Sequence, residues 1–173
     1  KESRADIGEE EARETSKLIG LAAIKYGDLS NQASKDYVFD IDRFIAFEGN
    51  TGPYILYSMV RIRSILDKYG AEESEYTGYA LNTEYAESEK TLLLKLAQTN
   101  SVIESACEEL APHKLCSFIY GTANEFNRFY YETKILSEPN EGKKHGYIAL
   151  LLLTYRVLDT CIGLLGFAAP ERM

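Results

Sequence analysis

A cluster of turn-forming residues followed directly by a long amphipathic segment constrains the fold of this chain more than any other feature. The run Glu48-Gly49-Asn50-Thr51-Gly52-Pro53 contains residues that interrupt regular structure. Pro53 suits the first position of a helix, because its φ is already near the helical value and its missing N–H is not needed there. We therefore predict that one helix ends near Phe47 and that another runs from Pro53 to about Tyr69.

The rest of the chain repeats this pattern of apolar, helix-period segments separated by short turn signals. Residues 36–39 are predicted to be extended or turn-like, and the acidic residues 70–86 to form a surface loop. The apolar run 147–167 contains Arg156 and Asp159, so we interpret it as a core helix and not a membrane span. Short loops favour antiparallel neighbours, which predicts an all-α, antiparallel helical bundle. The further predicted helices span residues 8–26, 40–47, 87–98, 101–110, 112–136 and 143–165.

The predicted helix 53–69 has two different faces on a helical wheel. Its apolar stripe, which a bundle core requires, consists of Ile55, Met59, Ile62 and Leu66. Its opposite side carries Tyr54, Tyr57, Arg61, Ser64 and Lys68. Rings beside cations are typical of single-stranded RNA binding, because bases stack on the rings and cations meet phosphate. From the pattern alone a second packing face is the preferred interpretation, since a central helix touches neighbours on two sides.

The predicted helix 112–136 raises the same two possibilities. Its expected core positions are Leu115, Ile119, Phe126 and Phe129. Its expected polar face consists of Asn124, Asn127, Arg128 and Tyr131. Tyr130 and Lys134 would lie one turn apart near its end. For each of these polar residues the preferred interpretation is a solvated face supported by pairs four residues apart, and a binding surface is the alternative.

No constellation for catalysis or metal binding is found in the sequence. His113 and His145 lack cysteine or carboxylate partners at metal-ligand spacing. The three cysteines, at positions 107, 116 and 161, are odd in number and are predicted to be buried thiols. Nucleophile, phosphate-loop and dinucleotide motifs are absent. We predict no catalytic residue and no metal site in this chain.

The formal net charge of -8 argues on average against nucleic acid, because backbone binding needs clustered Lys and Arg. The acid is concentrated in residues 9–11, 72–89 and 108–109, so other faces are free to be neutral or basic. A protein-interaction bundle without RNA binding therefore remains an alternative function.

Several segments, in order along the chain, resemble the C-terminal part of arginyl-tRNA synthetases. They are residues 36–43 (DYVFDIDR), 47–57 (FEGNTGPYILY), 60–63 (VRIR), 126–130 (FNRFY), 163–167 (GLLGF) and 170–173 (PERM). This resemblance implies a bundle of the class I synthetase anticodon-binding (DALR) type. It assigns residues 36–173 to the bundle and residues 1–35 to a helical tail of the catalytic region.

The resemblance implies that the chain binds the anticodon stem-loop of arginine tRNA and contacts the catalytic domain of the same polypeptide. The family's full enzyme attaches arginine to tRNA with ATP and magnesium in the cytoplasm. Its catalytic signatures are missing here, so we expect a non-catalytic chain with no cofactor of its own, and neither membrane nor DNA partners. The expected RNA-binding residues are Tyr54, Tyr57, Arg61, Lys68, Tyr130, Lys134 and Met173. Lys134 departs from the family, in which an aromatic residue can occupy a position near this one. A cation there can contact phosphate but does not stack on a base as an aromatic ring does.

Overall fold

The computed structural model describes residues 8–70 and 80–173, which form an all-helical bundle without β-strands. This confirms the predicted fold class. Seven helices lie in the described ranges. They are α1 (Glu9–Leu29), α2 (Ile41–Phe44), α3 (Gly52–Tyr69), α4 (Glu87–Leu96), α5 (Thr99–Glu108), α6 (Pro112–Glu132) and α7 (Glu141–Leu164).

Helix α6 lies at the centre of the bundle, where it packs against α1, α3, α4, α5 and α7. Its core side chains include Phe126 and Phe129, both fully buried. Helix α7 passes against α3, α4 and α6. By length and composition α7 is apolar enough to cross a membrane, with a mean hydropathy of 1.5 over its best window, but half of that window is buried inside the bundle. Burial of this kind is what a core helix shows.

The turn before α3 fixes both the start of that helix and its distance from α1. The Thr51 hydroxyl caps α3 by accepting a hydrogen bond from the Tyr54 N–H (3.3 Å), and it donates to the Ala46 carbonyl (2.6 Å). A Cβ on Gly52 would lie 2.3 Å from the Ala22 carbonyl oxygen, so only glycine allows this approach of α3 to α1. The Tyr26 hydroxyl lies 2.5 Å from Asn50 Oδ1, which ties the same turn to α1.

Helix α1 is longer than predicted, and two of its large apolar residues do not face the core. It continues through Gly27 to Leu29, because Gly27 lies against the Phe44 ring instead of ending the helix. Leu21 and Ile24, two of its large apolar residues, are exposed. The buried face of α1 instead carries small side chains that permit close packing, together with one large ring: Ala22, Ala23, Tyr26 and Gly27.

Other predicted boundaries were wrong by a few residues. Helix α2 is a single turn, shorter than the predicted 40–47, and is capped by Asp40, whose carboxylate accepts from the Arg43 N–H (3.1 Å). Helix α6 ends at Glu132 instead of 136, because the backbone of Thr133 is extended (φ -121, ψ 127). Cys107 is exposed, whereas Cys116 and Cys161 are buried as predicted. Of the predicted acidic loop, residues 71–79 lie outside the described part of the chain.

Candidate nucleic-acid interface

An open cleft of about 720 Å³ lies where α1, the turn before α3, α3 itself and α6 meet. Its volume falls within the usual range for ligand sites. Apolar and aromatic side chains line most of it, with a few polar groups between them. The lining residues are Ala12, Thr15, Ser16, Ile19, Phe47, Glu48, Tyr54, Tyr57, Arg61, Asn127, Tyr131 and Met173.

Arg61 is surrounded by three tyrosine rings. Its guanidinium carbon lies 4.7 Å from the centroid of Tyr57, 5.2 Å from that of Tyr130 and 5.9 Å from that of Tyr131. The electron-rich faces of aromatic rings attract a cation at such distances. Arg61 also donates to Asn127 Oδ1 (2.6 Å) and to the Tyr57 hydroxyl (2.9 Å). The cation is therefore held in one orientation, and it forms no ion pair with a carboxylate of the described residues.

Tyr54 and Tyr57, both predicted on the same face of α3, have different surroundings. Tyr57 is 42% exposed and lines the cleft, so its ring is open to solvent on one side. Tyr54 is half-buried, and its ring packs edge-on against Tyr120 at 5.7 Å. Burial raises the pKa of Tyr54 above its usual value. The packing interpretation of this face therefore describes Tyr54, and the open-surface interpretation describes Tyr57.

Asn127 connects this face of α3 to α6 and is not solvated, contrary to the prediction. It is only 9% exposed. Its amide donates to the Tyr54 hydroxyl (2.9 Å) and to Ser58 Oγ (3.1 Å), while its carbonyl oxygen accepts from Arg61. The Tyr54 hydroxyl in turn donates to Asn124 Oδ1 (2.7 Å). These bonds satisfy a buried polar group and fix the position of the Arg61 side chain.

The structure brings some of the predicted site residues together and leaves others apart. Tyr54, Tyr57, Arg61 and Met173 line the cleft, and Tyr130 joins them through Arg61. Lys68 is exposed in the last turn of α3. It follows Arg61 by seven residues and therefore lies about 10 Å further along the helix axis.

Lys134 is exposed and lies beyond the end of α6. The prediction that it stands one helical turn after Tyr130 was therefore wrong.

The residues that α1 and the turn before α3 contribute to the cleft were not predicted from the sequence. Ala12, Thr15, Ser16 and Ile19 line it from α1, and Phe47 and Glu48 line it from the turn before α3. The spacing of the α1 residues, on one side of a helix, was a readable signal. Their position opposite α3 was not, because it depends on how α1 packs in three dimensions.

Comparison with known proteins places this fold in a family. The family model described as "DALR anticodon binding domain" matches residues 55–173. The arginine–tRNA ligases of Agathobacter rectalis and Alkaliphilus oremlandii are 58% and 51% identical over 97% and 96% of this chain. The chain spans 28% of the length of each of these relatives.

Solved structures agree with the sequence comparison. The arginyl-tRNA synthetase of Thermus thermophilus has a TM-score of 0.85 at 29% identity, covering 99% of this chain and 29% of that one. The enzyme of Plasmodium falciparum has a TM-score of 0.79 at 27% identity, covering 92% and 28%. The chain belongs to the DALR anticodon binding domain family, in the form that arginine–tRNA ligases contain.

Proposed function

We propose that this chain binds the anticodon stem-loop of arginine tRNA as one domain of a longer arginine–tRNA ligase. One observation carries the proposal. In a member of an anticodon-binding family, the half-exposed Tyr57 ring and the Arg61 guanidinium meet at one cleft. An open ring face offers a stacking surface to a base, and a cation without a carboxylate partner attracts phosphate.

The remaining contacts suit a site that is organised before RNA arrives. Asn127 and the Tyr57 hydroxyl hold the guanidinium of Arg61, so little side-chain entropy is lost when a phosphate or base docks on it. In this proposal Tyr54 positions the site through its hydroxyl, and Tyr130 and Met173 extend the apolar surface. Lys68 and Lys134, exposed outside the cleft, would meet the RNA backbone as it leaves the site.

The activity of the whole protein is a further part of the proposal, because the chain spans 28% of its relatives' length. We propose that the longer polypeptide attaches arginine to tRNA with ATP and magnesium in the cytoplasm, and that its catalytic domain is the second partner of this bundle. Residues 1–35 would be the tail leading from that domain. Helix α1, within this tail, packs against α3 and so connects the tail to the proposed binding face.

Binding is tested by titrating the chain with arginine tRNA and with a non-cognate tRNA at about 50 and 200 mM salt. We expect tighter binding of arginine tRNA and weaker binding at the higher salt concentration. Tyr57→Ala should weaken binding by about 1–3 kcal/mol, the range for loss of one stacked base. Its melting temperature should change little, because the ring is half-exposed.

Tyr85→Ala is the matched control. Tyr85 is 43% exposed, almost the same as Tyr57, but it lies outside the cleft. If both variants bind tRNA like the parent chain, Tyr57 does not stack on RNA. If Tyr57→Ala instead lowers stability strongly and leaves affinity unchanged, the residue serves packing alone.

A protein partner is the second candidate function, and two observations favour it. The net charge is -8, and the acidic residue Glu48 is among those that line the cleft. A bundle of this kind would bind no tRNA at low salt, so the same titration separates the two functions.

A further inference from the structure

Tyr131 is the most exposed of the described tyrosines, and its ring lies at the cleft. It is 76% exposed, well above the value for Tyr57. Its ring centroid lies 5.9 Å from the guanidinium carbon of Arg61, and Tyr131 is among the residues that line the cleft. It belongs to α6, whereas Tyr57 and Arg61 belong to α3. The resemblance to arginyl-tRNA synthetases assigns this ring no role, and the helical pattern placed it on a solvated face.

The Tyr131 ring is held in one orientation although most of its surface is open. Tyr130 packs against it edge-on, with the two centroids 5.8 Å apart and the ring planes at 63°. Aromatic pairs favour this edge-to-face geometry. The Arg61 cation attracts the same ring. A ring that is already oriented loses little freedom when a flat group stacks on it.

The charges next to Tyr131 are compatible with a polyanionic ligand. Glu132, which follows it in the sequence, is ion-paired with Arg128 (3.1 Å), so its negative charge has a compensating partner. The charged group in direct contact with the ring is the Arg61 guanidinium, which forms no ion pair with a carboxylate of the described residues. A ligand that approaches the open ring therefore meets a cation beside it.

One guanidinium thus serves two open rings, one from each helix. The guanidinium carbon of Arg61 lies 4.7 Å from the centroid of Tyr57 and 5.9 Å from that of Tyr131, so the two centroids are at most about 11 Å apart, the sum of those distances. Single-stranded RNA stacks unpaired bases on such rings while cations meet its phosphates. A strand with one base on Tyr57 and a phosphate at Arg61 therefore has a second ring close to a neighbouring base.

We propose that Tyr131 is a second base-stacking residue of this cleft, contributed by α6. The inference rests on the proposed RNA-binding function and adds a contact on the side opposite α3. It predicts affinity and no choice between bases, because every base presents a face that can stack.

The absence of tryptophan from this chain makes the contact directly observable. Tyr131→Trp keeps a flat aromatic face at the position and introduces a single fluorophore. Arginine tRNA is titrated at about 50 mM salt with the parent chain, with Tyr131→Trp and with Tyr131→Ala. Tyr85→Trp and Tyr85→Ala are the matched controls, because Tyr85 is an exposed tyrosine outside the cleft.

We expect Tyr131→Ala to weaken binding by at least about fivefold, the lower end of the effect of losing one stacked base. Tyr131→Trp should bind within about twofold of the parent, because it preserves the stacking face. Its emission should be quenched as the complex forms, since a base in contact with the indole quenches it, and the emission of Tyr85→Trp should change much less. The melting temperature of Tyr131→Ala should match that of the parent, because the ring is largely exposed.

Two results would overturn the inference. Tyr131→Ala could bind arginine tRNA as tightly as the parent, or saturation with tRNA could quench Tyr131→Trp no more than Tyr85→Trp. If Tyr131→Ala lost stability as well as affinity, the emission of Tyr131→Trp would decide between packing and stacking. In these cases RNA binding itself is intact. Failure of the proposed function is a different result, in which the parent chain binds no tRNA even at low salt, and the inference then fails with it.

Discussion

Replacing Asn127 with alanine should destabilise the bundle more than any other single polar truncation at the cleft. The side chain is 9% exposed and joins α6 to three residues of α3. The substitution removes the bonds to the Tyr54 hydroxyl (2.9 Å), to Ser58 Oγ (3.1 Å) and from Arg61 (2.6 Å). Ser58 keeps its bond to the Tyr54 carbonyl (3.0 Å), and Tyr54 keeps its bond to Asn124, so no buried group loses all its partners.

The magnitude follows from these three bonds. Each of the two neutral ones contributes about 0.5–1.5 kcal/mol. The bond from Arg61 involves a charged donor but is only partly buried, so water replaces much of it and its contribution lies near the lower end of the range for charged pairs. Together they predict a loss of about 2.5–4.5 kcal/mol in the free energy of unfolding. For a chain of this size that lowers the melting temperature by about 5–18 °C.

Urea denaturation followed by circular dichroism at equilibrium measures this loss, and an unchanged m-value would show that the unfolded state is not altered. Asn124→Ala is the control, because Asn124 is less buried and its amide oxygen contributes one bond to the Tyr54 hydroxyl (2.7 Å). It should cost about 1 kcal/mol. Equal losses for the two variants would refute the reasoning, because they would mean that the Asn127 network adds nothing beyond one hydrogen bond.

Two further predictions concern close packing and thiol burial. Gly52→Ala should lower the free energy of unfolding by at least about 1–3 kcal/mol, because the new Cβ would meet the Ala22 carbonyl oxygen at 2.3 Å. Gly20→Ala is the control, because its new Cβ would have no atom within 4 Å, and it should be neutral or stabilising by up to about 1 kcal/mol. Thermal melts of both variants measure the two changes in stability. Burial raises the pKa of Cys116 to about 12 and that of Cys161 to about 11. At pH 8 an alkylating reagent should therefore modify exposed Cys107 and leave Cys116 and Cys161 intact until the chain unfolds. Peptide mass spectrometry identifies the modified cysteines. Rapid labelling of Cys116 in the folded chain would contradict the prediction.

The sequence predicted those features that depend on local periodicity and on turn chemistry. The stripe of Ile55, Met59, Ile62 and Leu66 is buried as the wheel indicated, because an amphipathic helix in a bundle has one direction in which to turn its apolar side. Pro53 and the turn residues before it located the start of α3 to within one residue. Both inferences need only neighbours within a few positions of one another.

The features that were missed depend on contacts between distant parts of the chain. Leu21 and Ile24 fit an apolar helix face, yet α1 turns Ala22 and Ala23 inward. Small side chains allow α3 to approach closely at Gly52, and that contact determines which side of α1 is buried. The cleft depends on the same contact, because the packing of α1 against α3 positions the lining residues of α1. No pattern within residues 8–29 specifies that position.

The two explanations of the aromatic face of α3 turn out to describe parts of one arrangement. Tyr54 and Tyr57 lie three residues apart, about 60° around the helix, so α6 covers one ring while the other stays open. The buried hydroxyl of Tyr54 and the open guanidinium of Arg61 share a single partner, Asn127. A surface that recognises a flexible ligand gains from side chains that are already fixed in place. The packing of Tyr54 against α6 is therefore a physical condition for a well-defined binding face at Tyr57 and Arg61. The sequence pattern could not separate the packing role from the binding role, because both belong to the same hydrogen-bond network.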